Sequence, residues 1–161
     1  VDVLKERHEK EASIESIALS DVVPSICSSI KSLINSAKAT ISLDFSEGDM
    51  VKFNREYLDS IILNLITNSI KYARPEVYPT IHFSTKSTDG GLILSVEDNG
   101  QGMDLEKIGN RMFKLNQSFH GNKDSKGVGL YLVYQHVTSL GGKIEVESEV
   151  NKGTTFRISF P

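Results

Sequence analysis

The chain has 161 residues, of which 39% are hydrophobic and 24% are charged, and this composition predicts one globular domain with a sizeable core. Its formal net charge of −3 lacks the basic excess of nucleic-acid-binding proteins, so no nucleic-acid partner is expected. The single cysteine, Cys27, excludes a disulfide framework and a cysteine zinc cluster, and we expect a small core residue in a reducing, cytoplasmic setting. No apolar run approaches the roughly 20 residues of a membrane span, so no direct membrane contact by this domain is expected.

The N-terminal part is predicted to contain a linker, a helix and a strand. Residues 1–15 are charged and start without a methionine, so we interpret them as the tail of an upstream helix or a linker in a longer protein. A helix capped by Ser20 or Asp21 follows in "SDVVPSICSSIKSLINSAKA", where apolar residues recur at helical spacing. The alternating segment "TISLDFS" predicts a strand.

The central part is predicted to contain a long helix and a β-hairpin. "FNREYLDSIILNLITNSIKYA" predicts an amphipathic helix that has Asn54 as its N-cap and ends before Pro75. "TIHFSTKS" and "GLILSVED" predict two strands joined by an Asp-Gly-Gly turn. His82 alternates with the apolar residues of its strand, so we expect it to be exposed.

The C-terminal part is predicted to contain a long loop, a second long helix and a closing hairpin. Residues 99–126 are rich in Gly, Asn, Lys and Ser, which predicts an irregular, functional or mobile stretch with one short helix near residues 104–109. "GVGLYLVYQHVTSLGG" predicts a helix in which His136 is structural, and "KIEVESEV" with "TTFRISF" predicts the hairpin. The predicted fold is α+β, with a mixed, mostly antiparallel sheet and helices on one face.

A polar stripe runs along the predicted middle helix. At about 100° per residue, its members lie beside the apolar face: Asn64, Asn68, Lys71 and Tyr72. Two amides and an ammonium group in line can bind a hard cation and phosphate. The alternative is a solvated helix face, on which such residues are common. Asparagine has a poor helix propensity, however, so two of them one turn apart need a reason.

Asp98 ends the second predicted strand and shares one face with its apolar residues, so it points toward the core. A buried carboxylate is unfavourable unless it is hydrogen-bonded, and an amino-bearing heterocycle such as adenine can supply that bond. We therefore expect Asp98 to be largely buried, with the ligand as its missing partner. Gly100 and Gly102 would let the backbone approach a flat ligand. The alternative is an ordinary strand-to-helix turn in which Asp104 caps the next helix.

Gly127 and Gly129 open the last predicted helix. Free backbone N–H groups at a helix start form an anion site, and glycine allows close contact. The alternative is a flexible hinge before the helix. The glycines match neither the P-loop nor the Rossmann pattern.

Taken together in this order, the segments resemble the motifs of one family. "NLITNSIKY", "DNGQGM" and "KGVGLYL", with "NKGTTFRISFP" at the end, resemble the N, G1, G2 and terminal G-T motifs of the catalytic ATP-binding domains of sensor histidine kinases. The superfamily also includes DNA gyrase B, the ninety-kilodalton heat-shock chaperones and MutL. The resemblance covers about residues 16–161 and implies a Bergerat-type two-layer α/β sandwich that binds ATP under a lid at about residues 103–126.

The resemblance also implies roles for the residues of the middle helix and the second strand. Asn68 would coordinate Mg²⁺, and Asn64 would support the metal or the phosphates. Lys71 would contact phosphate, which makes these three the implied catalytic residues, and Tyr72 would pack near the nucleoside. Asp98 would accept a hydrogen bond from the adenine amino group, with the two glycines that follow it near the ring.

Further implied contacts come from the lid, the last helix and the closing hairpin. Backbone N–H groups at the start of the last helix would hold phosphate oxygens: Gly127, Val128, Gly129 and Leu130. Thr154 would support the adenine end of the site. Phe113 would anchor the lid, and Lys126 would contact phosphate, as would Lys114, His120 or Lys123.

The resemblance implies a kinase that uses ATP and Mg²⁺. It would transfer the γ-phosphoryl group to a histidine on a dimerisation domain of the same protein, for relay to an aspartate of a response regulator. The hydrolytic relatives carry a glutamate one turn before the metal-binding asparagine, and here that position is Asn64, whose amide cannot take a proton. The alternatives are an ATPase or chaperone-type module, an anti-sigma serine kinase, or a degenerate binding module.

Two positions depart from the family pattern, and one histidine that matches a family motif is not assigned its role. Ser125 replaces a glycine of the G2 motif, and Asn116 replaces a second lid phenylalanine, which predicts a variant lid. His8 is followed by a glutamate, as in the phosphoacceptor motif, but it lies too near the ATP-binding fold, so we interpret it as a solvated side chain. The domain is expected in the cytoplasm, as part of a protein that can be membrane-anchored.

Overall fold

The computed structural model describes residues 13–108 and 128–161. Predictions that concern His8 and most of the lid, with Phe113, Lys126, Gly127 and the other lid residues named above, lie outside the described residues. The elements in chain order are strand β1 Glu15–Ala18, helix α1 Leu19–Ser29, helix α2 Lys31–Ala37, strand β2 Thr40–Asp44, strand β3 Met50–Phe53, helix α3 Arg55–Lys71, strand β4 Thr80–Thr88, strand β5 Gly91–Asp98, helix α4 Leu105–Ile108, helix α5 Val128–Ser139, strand β6 Lys143–Glu149 and strand β7 Gly153–Ser159.

The main sheet orders its strands as β2-β4-β5-β7-β6. Strands β2 and β4 are parallel, and the other neighbours are antiparallel. Alternate residues of the central strands are buried, namely Leu94 and Val96 on β5 and Phe156 and Ile158 on β7. These side chains share one hydrophobic core with the helices, since a sheet hides its apolar face against another layer. The predicted α+β sandwich with a mixed, mostly antiparallel sheet is confirmed.

Helix α3 forms the centre of the helical layer. The side chain of Asn54 accepts a hydrogen bond from the backbone N–H of Tyr57 over 3.0 Å, which confirms the predicted N-cap. Its inner face is buried and almost wholly apolar: Leu58, Ile61, Ile62, Leu65, Ile66 and Ser69. Each fully buried leucine or isoleucine contributes about 1.5–3 kcal/mol, so this face fixes the helix on the sheet. The polar stripe therefore has a fixed direction relative to β5.

The first predicted helix differs from the structure at its start and in its middle. Helix α1 begins at Leu19 after Ala18, with no side-chain cap, so the predicted caps Ser20 and Asp21 are wrong. The backbone N–H and hydroxyl of Ser20 instead donate to the carboxylate of Asp49, at 2.7 and 2.6 Å. The segment also divides into α1 and α2, where the hydroxyl of Ser29 donates to the Ile26 carbonyl and competes with the helical hydrogen bonds.

Strands β1 and β3 form a second, small sheet, which the sequence did not predict. The two strands are antiparallel, with Ile17 opposite Val51. Both residues are buried, together with Phe53, so this sheet extends the core. Within residues 13–108 and 128–161, no helix is long and apolar enough to cross a membrane.

Other predictions on single residues agree with the fold. Cys27 is a free cysteine that packs partly buried against the core. His82 is exposed and hydrogen-bonds to the hydroxyl of Ser42 through Nδ1 at 2.7 Å. The ring of His136 on α5 stacks on Tyr57 of α3, with centroids 4.5 Å apart, which supports the predicted structural role.

Candidate functional site

Three protein groups donate hydrogen bonds to the carboxylate of Asp98, the last residue of β5. The backbone N–H groups of Gly100 and Thr154 donate to Oδ1 over 2.9 and 3.2 Å. The hydroxyl of Ser69 donates to Oδ2 over 2.9 Å. Asp98 points to the inner face of the sheet, as predicted, but it is half-buried rather than largely buried because the strand ends here. The protein itself, and not only a ligand, therefore supplies partners that the sequence did not identify.

The electrostatics of Asp98 are dominated by its burial. Desolvation raises the pKa of this carboxyl above its ordinary value, and the nearby charge of Glu97 adds to the rise. The hydrogen bonds from Gly100, Ser69 and Thr154 oppose it. An ionised Asp98 is thus incompletely compensated by the protein, and a further donor would stabilise it. Perturbed carboxyls in such places are candidates for functional sites.

A small cavity lies beside Asp98, between α3 and the end of β5. It has a volume of about 20 Å³ and is lined by Asn68, Tyr72, Asp98, Gln101, Gly102, Met103, Leu130 and Thr154. Two of the four residues of the predicted helix stripe thus meet the predicted strand-end carboxylate. Leu130 and Thr154, which the resemblance alone indicated, line the same cavity.

Two larger hollows adjoin this cavity. One, of about 570 Å³, shares Gln101, Gly102 and Met103 with it. The other, of about 290 Å³, shares Asp98 and Thr154 with it. The small cavity thus shares lining residues with both hollows.

The rest of the helix stripe lies around the cavity. Asn68 is half-buried, and within the described ranges its amide makes no hydrogen bond, so it is available to a ligand. Lys71 is exposed in the last turn of α3 and does not line the cavity. The backbone carbonyl of Tyr72 accepts from the N–H of Gln101 over 2.9 Å, which ties the end of α3 to the loop after β5.

Asn64 lies one turn before Asn68 and faces the start of α5. Its Nδ2 donates to the carbonyl of Ser60 over 2.7 Å and to the Ser60 hydroxyl over 3.2 Å. A Cβ atom on Gly129 would lie 3.0 Å from its Oδ1. The two predicted motifs therefore touch, and Gly129 is needed for that approach. Of the other residues of that motif, Leu130 lines the cavity, and Gly127 and the side chain of Val128 lie outside the described residues.

The two glycines after Asp98 pack closely against the backbone of the protein itself. A Cβ on Gly100 would lie 2.8 Å from the carbonyl oxygen of Tyr72. Gly102 has φ +69°, and a Cβ there would collide with the carbonyl of Glu149. Both glycines are thus required before any ligand is considered. The capping interpretation also holds, since Asp104 accepts from the N–H of Glu106 over 3.2 Å at the start of α4.

Several residues of the site were not identified from the sequence. Ser69 is one of them, and the signal that could have revealed it is a hydroxyl within the otherwise apolar row of α3. The hydroxyl of Ser148 on β6 accepts from the N–H of Met103 over 2.7 Å and lies 2.9 Å from the Thr154 hydroxyl. Thr154 reaches Asp98 through its backbone N–H rather than its side chain. A backbone contact of this kind leaves no residue-type signal.

The site can be tested for its fit to ATP and Mg²⁺. A carboxylate beside an apolar wall of Met103 and Leu130 suits a purine that carries an amino group, because the polar acceptor fixes the orientation of a flat ring. The cavity must widen for a ring to enter, since about 20 Å³ is room for about one water molecule. In the described ranges no group of three or more His, Cys, Asp or Glu residues could hold a metal. Asn68 instead suits a magnesium ion held by one protein ligand together with phosphates and water.

A family model matches residues 53–161, and its description is histidine kinase-, DNA gyrase B-, and HSP90-like ATPase. Among curated relatives, the signal transduction histidine-protein kinase ArlS of Staphylococcus epidermidis is 33% identical over 114 residues, which are 69% of this chain and 25% of ArlS. The sensor histidine kinase GraS of the same species is 29% identical over 159 residues, which are 97% of this chain and 45% of GraS. The chain thus spans between a quarter and half of the length of these relatives.

Solved structures agree on the fold. The crystal structure of full-length ShkA in complex with AMPPNP superposes with a TM-score of 0.77 at 22% identity, over 94% of this chain and 31% of ShkA. The family match covers more than half of the chain and includes the middle helix, Asp98 and the closing strand. The chain belongs to the histidine kinase-, DNA gyrase B- and HSP90-like ATPase family, as a catalytic ATP-binding domain of the histidine kinase type.

Proposed function

We propose that this domain binds Mg²⁺·ATP at the cavity beside Asp98 and positions the ATP for transfer of its γ-phosphoryl group to a histidine on a dimerisation domain of the full-length protein, with ADP as the leaving group. The observation that carries the proposal is the convergence of Asn68, Asp98 and Leu130, from three separate elements, on one cavity. An aspartate of a response regulator is the proposed final acceptor. The full-length kinases ArlS and GraS support this relay.

The proposed roles are those that the family resemblance implies, and the positions of the residues support them. Asp98 accepts the hydrogen bond of the adenine amino group, with Thr154 supporting the carboxylate and Tyr72 packing near the nucleoside. Asn68 ligates Mg²⁺, and Asn64 supports the metal or the phosphates. Lys71 meets phosphate from the exposed end of α3. When bound, ATP supplies the phosphoryl group and Mg²⁺ neutralises its charge, so the work of the chain is positioning and electrostatic stabilisation.

The environment of Asn64 supports transfer rather than hydrolysis. Its Nδ2 is committed to Ser60, and an amide has no proton-accepting form near neutral pH. No general base for water is thus supplied at this position of α3. A phosphoryl acceptor must then come from another domain, which agrees with a chain that spans only part of its relatives. The isolated domain is expected to bind nucleotide with little turnover.

The test is calorimetry of this chain with AMPPNP and with its guanine counterpart, each with and without Mg²⁺. We expect binding of AMPPNP that weakens without Mg²⁺, and at least about tenfold weaker binding of the guanine nucleotide, whose carbonyl faces the acceptor Asp98. Absence of AMPPNP binding, or equal affinity for both bases, would overturn the proposal.

The second arm tests the reaction. The full-length protein is incubated with ATP and assayed for an acid-labile, alkali-stable phosphoryl group, which identifies phosphohistidine. We expect such a product in the full-length protein and only trace ATP hydrolysis by this chain alone. Fast, Mg²⁺-dependent hydrolysis by the chain alone would instead indicate an ATPase of the same family.

A further inference from the structure

Among the described residues, the hydroxyl of Ser69 is the one side-chain group that hydrogen-bonds to the carboxylate of Asp98. A carboxylate oxygen has two lone pairs. On Oδ1 both are used, by the N–H groups of Gly100 and Thr154. On Oδ2 one is used, by Ser69. The residues that the structure describes therefore leave one lone pair on Oδ2, next to the cavity that Asp98 lines.

We propose that Ser69 is a positioning residue of the nucleotide site, whose hydroxyl fixes the rotation of the Asp98 side chain and leaves a single acceptor direction, on Oδ2, for the amino group of the base. The inference rests on the proposed function, which it deepens by naming a determinant of base selectivity. Ser69 acts through Asp98 and need not touch the nucleotide.

The position of Ser69 argues that the hydroxyl is there for Asp98. Ser69 is 5% exposed and belongs to the buried row of α3. Alanine is a better helix former and would fill this apolar row without a polar group to bury. Within the described part of the chain, the hydroxyl makes its hydrogen bond to Asp98. The hydroxyl is therefore compensated through the carboxylate alone.

Ser69 also affects the charge state of Asp98. Burial raises the pKa of Asp98, and the hydrogen bond from Ser69 lowers it. Within residues 13–108 and 128–161, the other charged groups around the carboxylate are Glu97 on its own strand, which raises the pKa further, and Glu147, Glu149 and Lys152, which line the hollow on the β6 side. From α3, the ionisable side chain at the cavity is that of Tyr72. Removal of the Ser69 hydroxyl leaves burial less opposed, so Asp98 would be protonated at higher pH.

The experiment compares Ser69→Ala and Ser69→Thr with the unchanged chain. Affinities for the Mg²⁺ complexes of ATP and inosine triphosphate, which carries a carbonyl in place of the amino group, are measured by calorimetry from about pH 8 to about pH 5. We expect Ser69→Ala to lose about five- to tenfold in affinity for ATP and less in affinity for inosine triphosphate. The loss in affinity for ATP should be larger at acid pH. Ser69→Thr keeps a hydroxyl and should restore the ratio of the affinity for ATP to the affinity for inosine triphosphate. Ser29→Ala is the matched control, because its hydroxyl on α1 bonds a backbone carbonyl.

A second readout needs no nucleotide. The ¹³C resonance of the Asp98 carboxyl is titrated in the free protein, where Ser69→Ala should shift the midpoint to higher pH and Ser29→Ala should not. An unchanged titration and an unchanged ATP-to-inosine ratio in Ser69→Ala would overturn the inference. If the unchanged chain binds neither nucleotide, the proposed function fails, and the titration alone then decides whether Ser69 controls Asp98.

Discussion

The backbone N–H of Thr154 donates to Oδ1 of Asp98 over 3.2 Å, although the two residues are 56 positions apart in sequence. They are also direct partners in the ladder between β5 and β7. The closing strand is therefore part of the site, and its position sets how the carboxylate is held. The candidate site and the centre of the sheet therefore cannot vary independently.

Asp98→Asn should weaken nucleotide binding without lowering the stability of the fold. The amide keeps an acceptor for Gly100 and Thr154 but loses the charge that a base amino group would meet, so we expect nucleotide affinity to fall about ten- to hundredfold. Burial raises the pKa of Asp98, so the folded state favours the protonated form. Asp98 therefore makes its full contribution to the free energy of unfolding below the pKa that this carboxyl has in the unfolded chain. That contribution is lost as the pH rises through the folded pKa. Near neutral pH, Asp98→Asn should be at least as stable as the unchanged chain.

The measurements are calorimetry with AMPPNP and urea unfolding near pH 7. Glu97→Gln is the matched control, because Glu97 is the neighbouring carboxylate on the exposed face of the same strand. It should bind nucleotide normally. A marked loss of stability in Asp98→Asn, or full affinity, would show that Asp98 is a structural residue rather than a ligand acceptor.

Gly129→Ala should affect the nucleotide more than the fold. Alanine is favoured over glycine inside a helix by roughly 0.5–1 kcal/mol. The new Cβ would lie 3.0 Å from Oδ1 of Asn64, whose amide is held by Ser60 and so resists displacement. We expect a melting temperature within a few degrees of the unchanged chain and a severalfold weaker binding of Mg²⁺·AMPPNP. Ser139→Ala, at the exposed end of the same helix, is the control, and equal affinities in the two variants would contradict a role for Asn64 at the phosphates.

Periodicity predicted the parts of the fold that carry strong patterns. Helix α3, the strands β4 to β7 and the short helix α4 lie where the sequence placed them. The strands β1 and β3 have four residues each, too few for a periodic pattern, and they exist because they pair with each other. The cap of α1 was misassigned because Ser20 has a competing partner, Asp49, 29 positions away. Both errors come from contacts between distant segments, which local patterns do not contain.

The sequence predicted those parts of the candidate site that depend on the type of side chain. The helix stripe and the strand end indicated Asn68, Tyr72 and Asp98 separately, the family resemblance placed them on one site, and they line one cavity. The partners of Asp98 could not be predicted, because two of them are backbone N–H groups. The glycines were interpreted as space for a ligand, whereas Gly100 and Gly102 first make space for Tyr72 and Glu149. A sequence gives the residue type at a crowded position but not which neighbour crowds it.

Gly153→Ala should destabilise the whole domain. Gly153 has φ +136°, a conformation that residues with a Cβ rarely adopt, and a Cβ there would collide with the carbonyl of Asp98. We expect a loss of about 3 kcal/mol or more in the free energy of unfolding, measured by urea denaturation. Gly90→Ala is the matched control, because a Cβ at that turn meets only the Thr88 hydroxyl, at 4.0 Å. If both variants lose the same stability, the collision with Asp98 is not the cause.

His136 should make the stability of the domain depend on pH. Its ring stacks on Tyr57, and among the described residues its Nδ1 is buried without a hydrogen-bond partner. Burial lowers the pKa of His136 below its ordinary value of about 6.5, so the folded state disfavours the charged ring. Above about pH 6.5, the ring of His136 is neutral in both the folded and the unfolded state. As the pH falls from there toward the folded pKa, the unfolded chain binds the proton first, so the free energy of unfolding decreases.

The test compares the unchanged chain with His136→Phe, which keeps an aromatic ring against Tyr57 but cannot titrate. Unfolding free energies are measured by urea denaturation from about pH 8 to about pH 5. Relative to His136→Phe, the unchanged chain should lose stability as the pH falls, because other titrating groups contribute equally to both proteins. His82→Phe is the control, since His82 is exposed on the opposite face of the sheet, and it should run parallel to the unchanged chain. Parallel curves for His136→Phe would mean that the folded state tolerates the charged ring, and that the α3–α5 contact is insensitive to pH.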